Sequence, residues 1–286
     1  MSLHTSPTNS LAACLTRWAA QLTDCTDSPK LDAEVLFKHV SAYRDVDLIT
    51  RAGEVLDMGI VLAVDRLIAA RIEGSPVAYL TGEREFYSLP LRVTPAVLIP
   101  RPDTECLVEA ALAHINAVSV QRVLDLGTGS GAIALALAKH APGINITATD
   151  RKAEALELAG RNARQLDISG VQFLIGDWYR ALPEQRFDLI VSNPPYIAPL
   201  DPHLQQGDLR FEPHAALVAS ESGMADLRQI IEGAPGYLNA GGVLMVEHGY
   251  DQAEAVRALM RDAGFMHPQT LRDYGNNDRV SIAQLP

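Results

Sequence analysis

A chain of 286 residues is long for one average domain and comfortable for two. Its 48% hydrophobic content is ordinary globular usage, and a formal net charge of −11 argues against a protein that coats nucleic acid by bulk charge. The three cysteines, Cys14, Cys25 and Cys106, form no C-x-x-C pair, and the longest apolar stretch, Ala132 to Ala138, is far too short for a bilayer. A reduced, soluble, cytoplasmic protein without a signal peptide is expected.

The first eighty or so residues read as helices. Ser10 can cap a segment whose Leu11, Leu15, Trp18 and Leu22 recur at helical spacing. Ser28-Pro29 starts another, because proline fits the first helical turn, with Leu31, Val35, Leu36 and Val40 on one face. A third runs from about Gly59 to Ile72 and stops at Gly74-Ser75-Pro76. These stripes predict core packing, and nothing in them looks catalytic.

From Ala78 to Pro100 the period changes. Glu85-Phe86-Tyr87 and Leu89 to Val93 predict two short strands with a turn near Ser88 to Pro90. Arg101-Pro102-Asp103-Thr104 then opens a helix, with Asp103 or Thr104 as its cap. The expected division is a helical domain over residues 1–82, a hairpin linker over 83–100 and a second domain over 101–286.

The remainder alternates. Strands are expected at Arg122–Leu126, Ile144–Thr149, Val171–Ile175, Leu189–Ser192 and Gly242–Glu247, with two more near Thr270 and Val280. Helices lie between them at Ala132–Lys139, Ala153–Gln165, Met224–Ile231 and Gln252–Ala263. This order predicts an α/β fold with a mainly parallel, doubly wound, Rossmann-like sheet. Ligands in such sheets sit at the carboxyl ends of the strands, so the chemistry belongs at Gly127, Asp150, Gly176 and Asn193.

Val123 to Gly131 is a buried strand running into a glycine-rich turn and a helix. The glycines let the backbone approach a ligand closely, and Asp150 ends the next strand where a carboxylate can bind both hydroxyls of a ribose. Gly127, Gly129 and Ala132 also satisfy a loose dinucleotide fingerprint. Two features favour S-adenosylmethionine instead. The pattern D-x-G-x-G-x-G from Asp125 to Gly131 resembles the first motif of Rossmann-like methyltransferases, in which Gly127, Thr128, Gly129, Ser130 and Gly131 hold the methionine part. Gly176-Asp177-Trp178 follows the third strand, where Asp177 can meet an adenine edge and Trp178 can cover its face or simply be core.

Asn193-Pro194-Pro195-Tyr196 ends the fourth strand, because proline cannot donate to a ladder. Each proline holds its predecessor extended, leaving the Asn193 side-chain carbonyl and the Pro194 backbone carbonyl free to face a pocket. Two such acceptors can bind both hydrogens of an amide or aromatic amine and aim its delocalised lone pair at a methyl donor. Tyr196 is expected to pack its ring on the planar acceptor.

These motifs resemble the HemK/PrmC family, the peptide chain release factor glutamine N-methyltransferases. So do Gly82 to Tyr87, Leu98 to Glu105, Gly207 to Pro213, Asp32-Ala33-Glu34, Arg272 to Gly275 and Arg279-Val280, so the likeness covers essentially the whole chain. The tetrapeptide alone is shared with enzymes that methylate nucleobase amines; Pro-Arg-Pro-Asp-Thr-Glu and Arg-Phe-Glu-Pro make the likeness specific. The resemblance implies an N-terminal helical bundle, a hairpin linker and a methyltransferase domain using S-adenosylmethionine and no metal. It implies transfer to the glutamine of the Gly-Gly-Gln motif in class I release factors. Gly127 to Gly131, Asp150, Trp178 and Asn193 carry over as cofactor residues, and Asn193, Pro194, Pro195 and Tyr196 as substrate-binding residues. The expected partner is a release factor, with no nucleic acid or membrane, and the enzyme is expected to act as a monomer. His203, His214 and His248 read as loop or surface residues, Arg84, Arg92 and Arg101 as contacts to the release factor or the methionine carboxylate or as surface or structural pairs, and Asp201 to Pro213 as a cover over the site.

Overall fold

In the first unit, helical periodicity and capping act together. The structure, a computed structural model, describes residues 9–182 and 184–286. Ser10 accepts the Ala13 amide and starts α1 (Leu11–Gln21), whose Leu11, Cys14 and Trp18 are buried. α2 (Pro29–Ser41) turns Ala33, Leu36 and Phe37 inward; Leu31, expected on that face, is exposed one position off the stripe. A short α3 (Asp45–Thr50) was not expected from the pattern, being too brief to show periodicity. Asp57 caps α4 (Met58–Ile72), and α5 (Val77–Thr81) occupies part of the stretch read as the approach to a hairpin. The core joins Leu11, Trp18, Leu36, Phe37, Val64 and Ile68. The Trp18 indole N–H is satisfied by Asp65 at 2.6 Å.

This unit runs up to Gly82 and also takes in Gln205–Phe211, which corrects the expectation of an unbroken second domain over 101–286. Buried Arg71 of α4 explains the excursion: it donates to Asp32 of α2 at 3.0 Å and to Asp208 at 2.5 Å. Gly74 has φ +107°, and a Cβ there would collide with the Phe211 ring.

The second unit opens with the hairpin β1 (Glu83–Phe86) and β2 (Leu89–Arg92). Its turn is Tyr87-Ser88, both at positive φ, rather than Ser88 to Pro90; a two-residue turn of that hand matches the twist of the strands. Phe86, Leu89 and Leu91 enter the core of this unit, so the expected linker is packed structure. α6 (Glu105–Ala117) follows a short 3-10 turn.

Seven strands then form one sheet in the order β5-β4-β3-β6-β7-β9-β8. β3 is Arg122–Leu126, β4 Asn145–Asp150, β5 Val171–Ile175, β6 Phe187–Ser192, β7 Leu238–Glu247, β8 Met266–Arg272 and β9 Asp278–Gln284. The first five run parallel; β9 is antiparallel to β7 and to β8. Strand alternation sends Val123, Leu189, Val191 and Met245 to one face, under α6 and α7 (Ala132–His140). Leu124, Ile190, Leu244 and Val246 face the other way. There they meet α10 (Ala225–Gly233) and α11 (Ala253–Asp262), entered after α8 (Ala153–Gln165) and α9, a distorted turn over Ser220–Gly223. Strand order reverses between neighbouring β3 and β6, which opens a crevice at their carboxyl ends. No helix among the described residues is long and apolar enough to cross a membrane.

Candidate active site

The crevice is lined by Gly127, Thr128, Gly129, Ser130, Asp150, Asp177, Trp178, Asn193 and Pro195, together with Val97, Leu98, Arg101 and Thr104. Residues from four strand ends and from the Pro-Arg-Pro-Asp-Thr segment thus meet at one place, as strand-end logic demands. Gly131 does not line it: its φ is +86°, and it sits over Ala159 and Leu135, where it lets α7 begin close to α8.

The glycine turn is held from below. The Gly127 and Thr128 amides both donate to the Thr149 carbonyl at 2.9 Å. Asp125 accepts the Thr128 hydroxyl at 2.6 Å, and burial pushes its carboxyl up to about 7. Asp150 uses Oδ2 on the Gly129 amide at 3.0 Å and Oδ1 on the Lys152 amide at 2.9 Å. Each carboxylate oxygen keeps further acceptor capacity toward the crevice. Asn162 of α8 donates to the Ser130 carbonyl and exchanges two hydrogen bonds with the Arg92 backbone, tying the turn to the hairpin.

Trp178 is partly buried at φ +50°. A Cβ on Gly127 would stand 3.2 Å from its Cζ3, so the glycine makes room for the ring. The ring lines the crevice and also touches the core under α10, so both readings of this residue find contacts. Asp177 is half exposed on the crevice wall.

At the other side, Asn193 Nδ2 donates to the Thr104 hydroxyl at 3.0 Å. The amide is thereby oriented, with Oδ1 on the opposite side of the group. Pro194 and Tyr196 depart from expectation, because neither lines the crevice. Pro194 is buried, and among the described residues no donor reaches its carbonyl. The Tyr196 ring packs against the core shared with α10 and α11, its hydroxyl donates to Glu247 at 3.1 Å, and burial raises its phenol. It is a strut beneath the tetrapeptide, since a ring that finds a buried acceptor gains more there than on an open wall.

Thr104 also departs from expectation. Neither it nor Asp103 caps a helix; Thr104 already has helical dihedrals, and Asp103 pairs with Arg279 at 3.4 Å. Glu212 is buried, accepts the Ile99 amide at 2.9 Å and pairs with Arg101, so the glutamate of the Arg-Phe-Glu-Pro motif is fastened to the Leu-Ile-Pro-Arg segment. Glu247 was not singled out from the sequence, although a carboxylate ending the apolar run Val243 to Val246 at the ligand-bearing edge is a readable signal. His203 pairs with Asp201 on the surface, and His214 is exposed. His248 is instead core, fully buried and bonded to Ser281 and the Gly249 carbonyl.

Known proteins agree with this arrangement. Residues 13–82 match the PrmC N-terminal domain, and residues 104–208 match the methyltransferase small domain. Among solved structures, a T. thermophilus 16S rRNA methyltransferase in complex with AdoMet and guanosine shares the fold. Its TM-score is 0.53 at 22% identity, over 71% of this chain and 50% of that one. The release factor glutamine methyltransferase of Salmonella typhimurium is 54% identical over 93% of this chain and 95% of its own. That of Escherichia coli is 51% identical over 94% and 96%. Two family domains in the right order, and half identity along almost the whole length of both relatives, leave one conclusion: the chain belongs to the release factor glutamine methyltransferase family.

Proposed function

We propose that this protein transfers a methyl group from S-adenosylmethionine to the side-chain amide nitrogen of the glutamine in the Gly-Gly-Gln motif of class I release factors. The residues present fit that cofactor. Asp150 offers spare acceptor capacity to ribose hydroxyls, Asp177 and Trp178 flank the end suited to adenine, and Gly127 to Ser130 frame the end suited to the amino acid. When bound, S-adenosylmethionine supplies an electrophilic methyl on a sulfonium centre.

The protein's own groups supply orientation. An amide nitrogen is a poor nucleophile because its lone pair is delocalised. Asn193 Oδ1, on the crevice wall, accepts one of its two hydrogens and aims the lone pair along the transfer direction. Alignment of this kind lowers barriers by about 7–11 kcal/mol in favourable cases. Positive charge moves onto the nitrogen as the bond forms, and acceptors already in position stabilise it without rearranging. The methylated nitrogen is then acidic enough to lose a proton to solvent, so no strong base is required. Thr104, Tyr196 and Glu247 hold the tetrapeptide from behind.

The observation that carries this reading is the Asn193 amide, oriented by Thr104 beside the glycine turn at the strand-order reversal. The test is incubation with labelled S-adenosylmethionine and purified release factor, followed by mapping of the modified residue. Label on the Gly-Gly-Gln glutamine is expected; label on nucleic acid in preference to the protein overturns it.

A further inference from the structure

The tetrapeptide that ends β6 is held at its exit as well as at its entrance. Asn193 is held by Thr104, and Tyr196 leaves the tetrapeptide with its hydroxyl and its carbonyl both engaged. The hydroxyl donates to Glu247, the last residue of β7, at 3.1 Å. The backbone carbonyl accepts from Gln252 Nε2 at 3.0 Å. Gln252 Oε1 in turn accepts the Gly249 amide at 2.8 Å, so this side chain uses both of its ends to join the turn after β7 to the tetrapeptide. Gln252 stands at the N-cap of α11, where serine, threonine, aspartate and asparagine are preferred, yet its side chain caps no amide of that helix. Helix formation gives no reason for a glutamine at this position.

The same carbonyl is packed from another side by α9. Glu221, Ser222 and Gly223 follow one another at φ 53°, 56° and 87°. A Cβ on Gly223 would stand 2.1 Å from the Tyr196 carbonyl oxygen and 2.8 Å from Gln252 Nε2, so the run lays bare backbone against this hydrogen bond. Left-handed dihedrals are costly for residues with a Cβ and persist only where the surroundings over-determine them. Ile197, next in the chain, accepts from the Ala219 amide at 3.0 Å and donates to the Leu217 carbonyl at 2.9 Å.

We propose that Gln252 is a positioning residue for methyl transfer: by holding the Tyr196 carbonyl it fixes where Asn193 and Pro195 stand in the crevice. This rests on the reading that Asn193 Oδ1 receives the reacting amide. The link between the two ends is the stiffness of Pro194-Pro195. Each ring locks its own φ at about −65° and restrains the residue before it to extended dihedrals, so the segment has few ways to bend between Asn193 and Tyr196. A shift at the Tyr196 carbonyl is then carried to Asn193 rather than absorbed. Thr104 fixes the rotation of the Asn193 amide, and Gln252 fixes the place of the backbone that carries it.

The test compares Gln252→Glu and Gln252→Met with the wild type, using labelled S-adenosylmethionine and intact release factor. Glutamate keeps an acceptor for the Gly249 amide but replaces the donor to Tyr196 with an oxygen; methionine keeps the length and removes the donor. Misplacement by about 1 Å through a change remote from the chemistry can cost about 10²-fold, and a kcat loss of about 10–100-fold is expected for each variant. Cofactor affinity by calorimetry should stay near wild type, because Gln252 does not line the crevice. The double variant Asn193→Ala with Gln252→Glu gives the readout that a merely stabilising glutamine would not move. If Gln252 acts through Asn193, its loss costs little once Asn193 is gone, and the combined loss falls well short of the product of the single losses. Single losses that multiply overturn the proposal, and so does wild-type kcat in Gln252→Glu. If that variant does not fold, Gln252→Met with undiminished kcat overturns it equally. Asn193→Ala alone separates the two levels: impaired turnover there beside an unaffected Gln252→Glu defeats only the role of Gln252, whereas an unimpaired Asn193→Ala defeats the reading beneath it.

Discussion

Asp150 shows how one carboxylate serves a loop and a ligand together. Its two oxygens already hold the Gly129 and Lys152 amides, so it shapes the turn before a cofactor arrives. Asp150→Ala is expected to weaken S-adenosylmethionine binding by about 1–3 kcal/mol, the range for lost charge-assisted hydrogen bonds. Calorimetry showing wild-type affinity in a folded variant would remove Asp150 from the site. Asn193→Ala is expected to lose about 10²–10³ in methyl-transfer rate while staying folded, the usual cost of one preorganised partner at a reacting centre. Asn193→Asp retains an acceptor and should keep partial activity; single-turnover rates of the two variants check this order. Where Asn193 lies was legible from the prolines that end β6. Which way its amide faces was not, because Thr104 reaches it across 89 positions of chain.

At the scale of elements, strained backbone marks where a turn was chosen over a residue's preference. Ala42 ends α2 in the left-handed region at φ 56°, a conformation that costs a residue with a Cβ about 1–2 kcal/mol. Ala42→Gly should therefore stabilise the helical unit by roughly 0.5–1 kcal/mol, after the extra entropy of glycine is counted. Thermal unfolding reads the gain, and an unchanged or lower midpoint counts against the argument. Gly127→Ala should act in the opposite sense. Its Cβ would press on Trp178 and its φ of +76° suits glycine, so both cofactor affinity and stability should fall. Binding calorimetry and thermal unfolding of one preparation test both effects. The strands and longer helices were legible because their periodicity is strong; α3 and α5 were not, since one or two turns show no period.

For the whole molecule, two buried carboxyls make stability depend on pH. Burial holds Asp125 and Glu247 each at about 7, above their ordinary values of 3.8 and 4.5. Between those values the folded state binds more protons than the unfolded one, so stability falls as pH rises and levels off above about 7. The fall is on the order of 3 kcal/mol per group. Denaturant unfolding across that range should show it, and Glu247→Gln should flatten part of it; a wild type that gains stability instead contradicts the assignment. No residue of the helical unit lines the crevice, and we propose that this unit recognises the body of the release factor. A loop of a few residues cannot bury the roughly 1,200–2,000 Å² of a stable interface. A short Gly-Gly-Gln peptide should then be a much poorer substrate than intact release factor. Equal catalytic efficiency on both would leave the unit as a stabilising cap. Because Gln205–Phe211 belongs to the same unit through Arg71, deleting residues 1–82 would strand that segment, and the peptide comparison is the cleaner test.

Local sequence determined what is written in short-range pattern: alternation of strands and helices, the glycine turn after β3, the proline stop after β6, and hence the edge of the sheet that carries the site. Each depends on dihedral preference or burial period within about ten residues, which the chain states directly. Tertiary structure alone decided how polar groups far apart in sequence divide their hydrogen bonds. Thr104 turned from capping to Asn193, Tyr196 from the open wall to Glu247, and Asp208 from the methyltransferase unit to Arg71. The physical reason is the same in each case. A buried polar atom takes whichever partner the packed fold brings within about 3 Å, and no local preference is strong enough to choose that partner in advance.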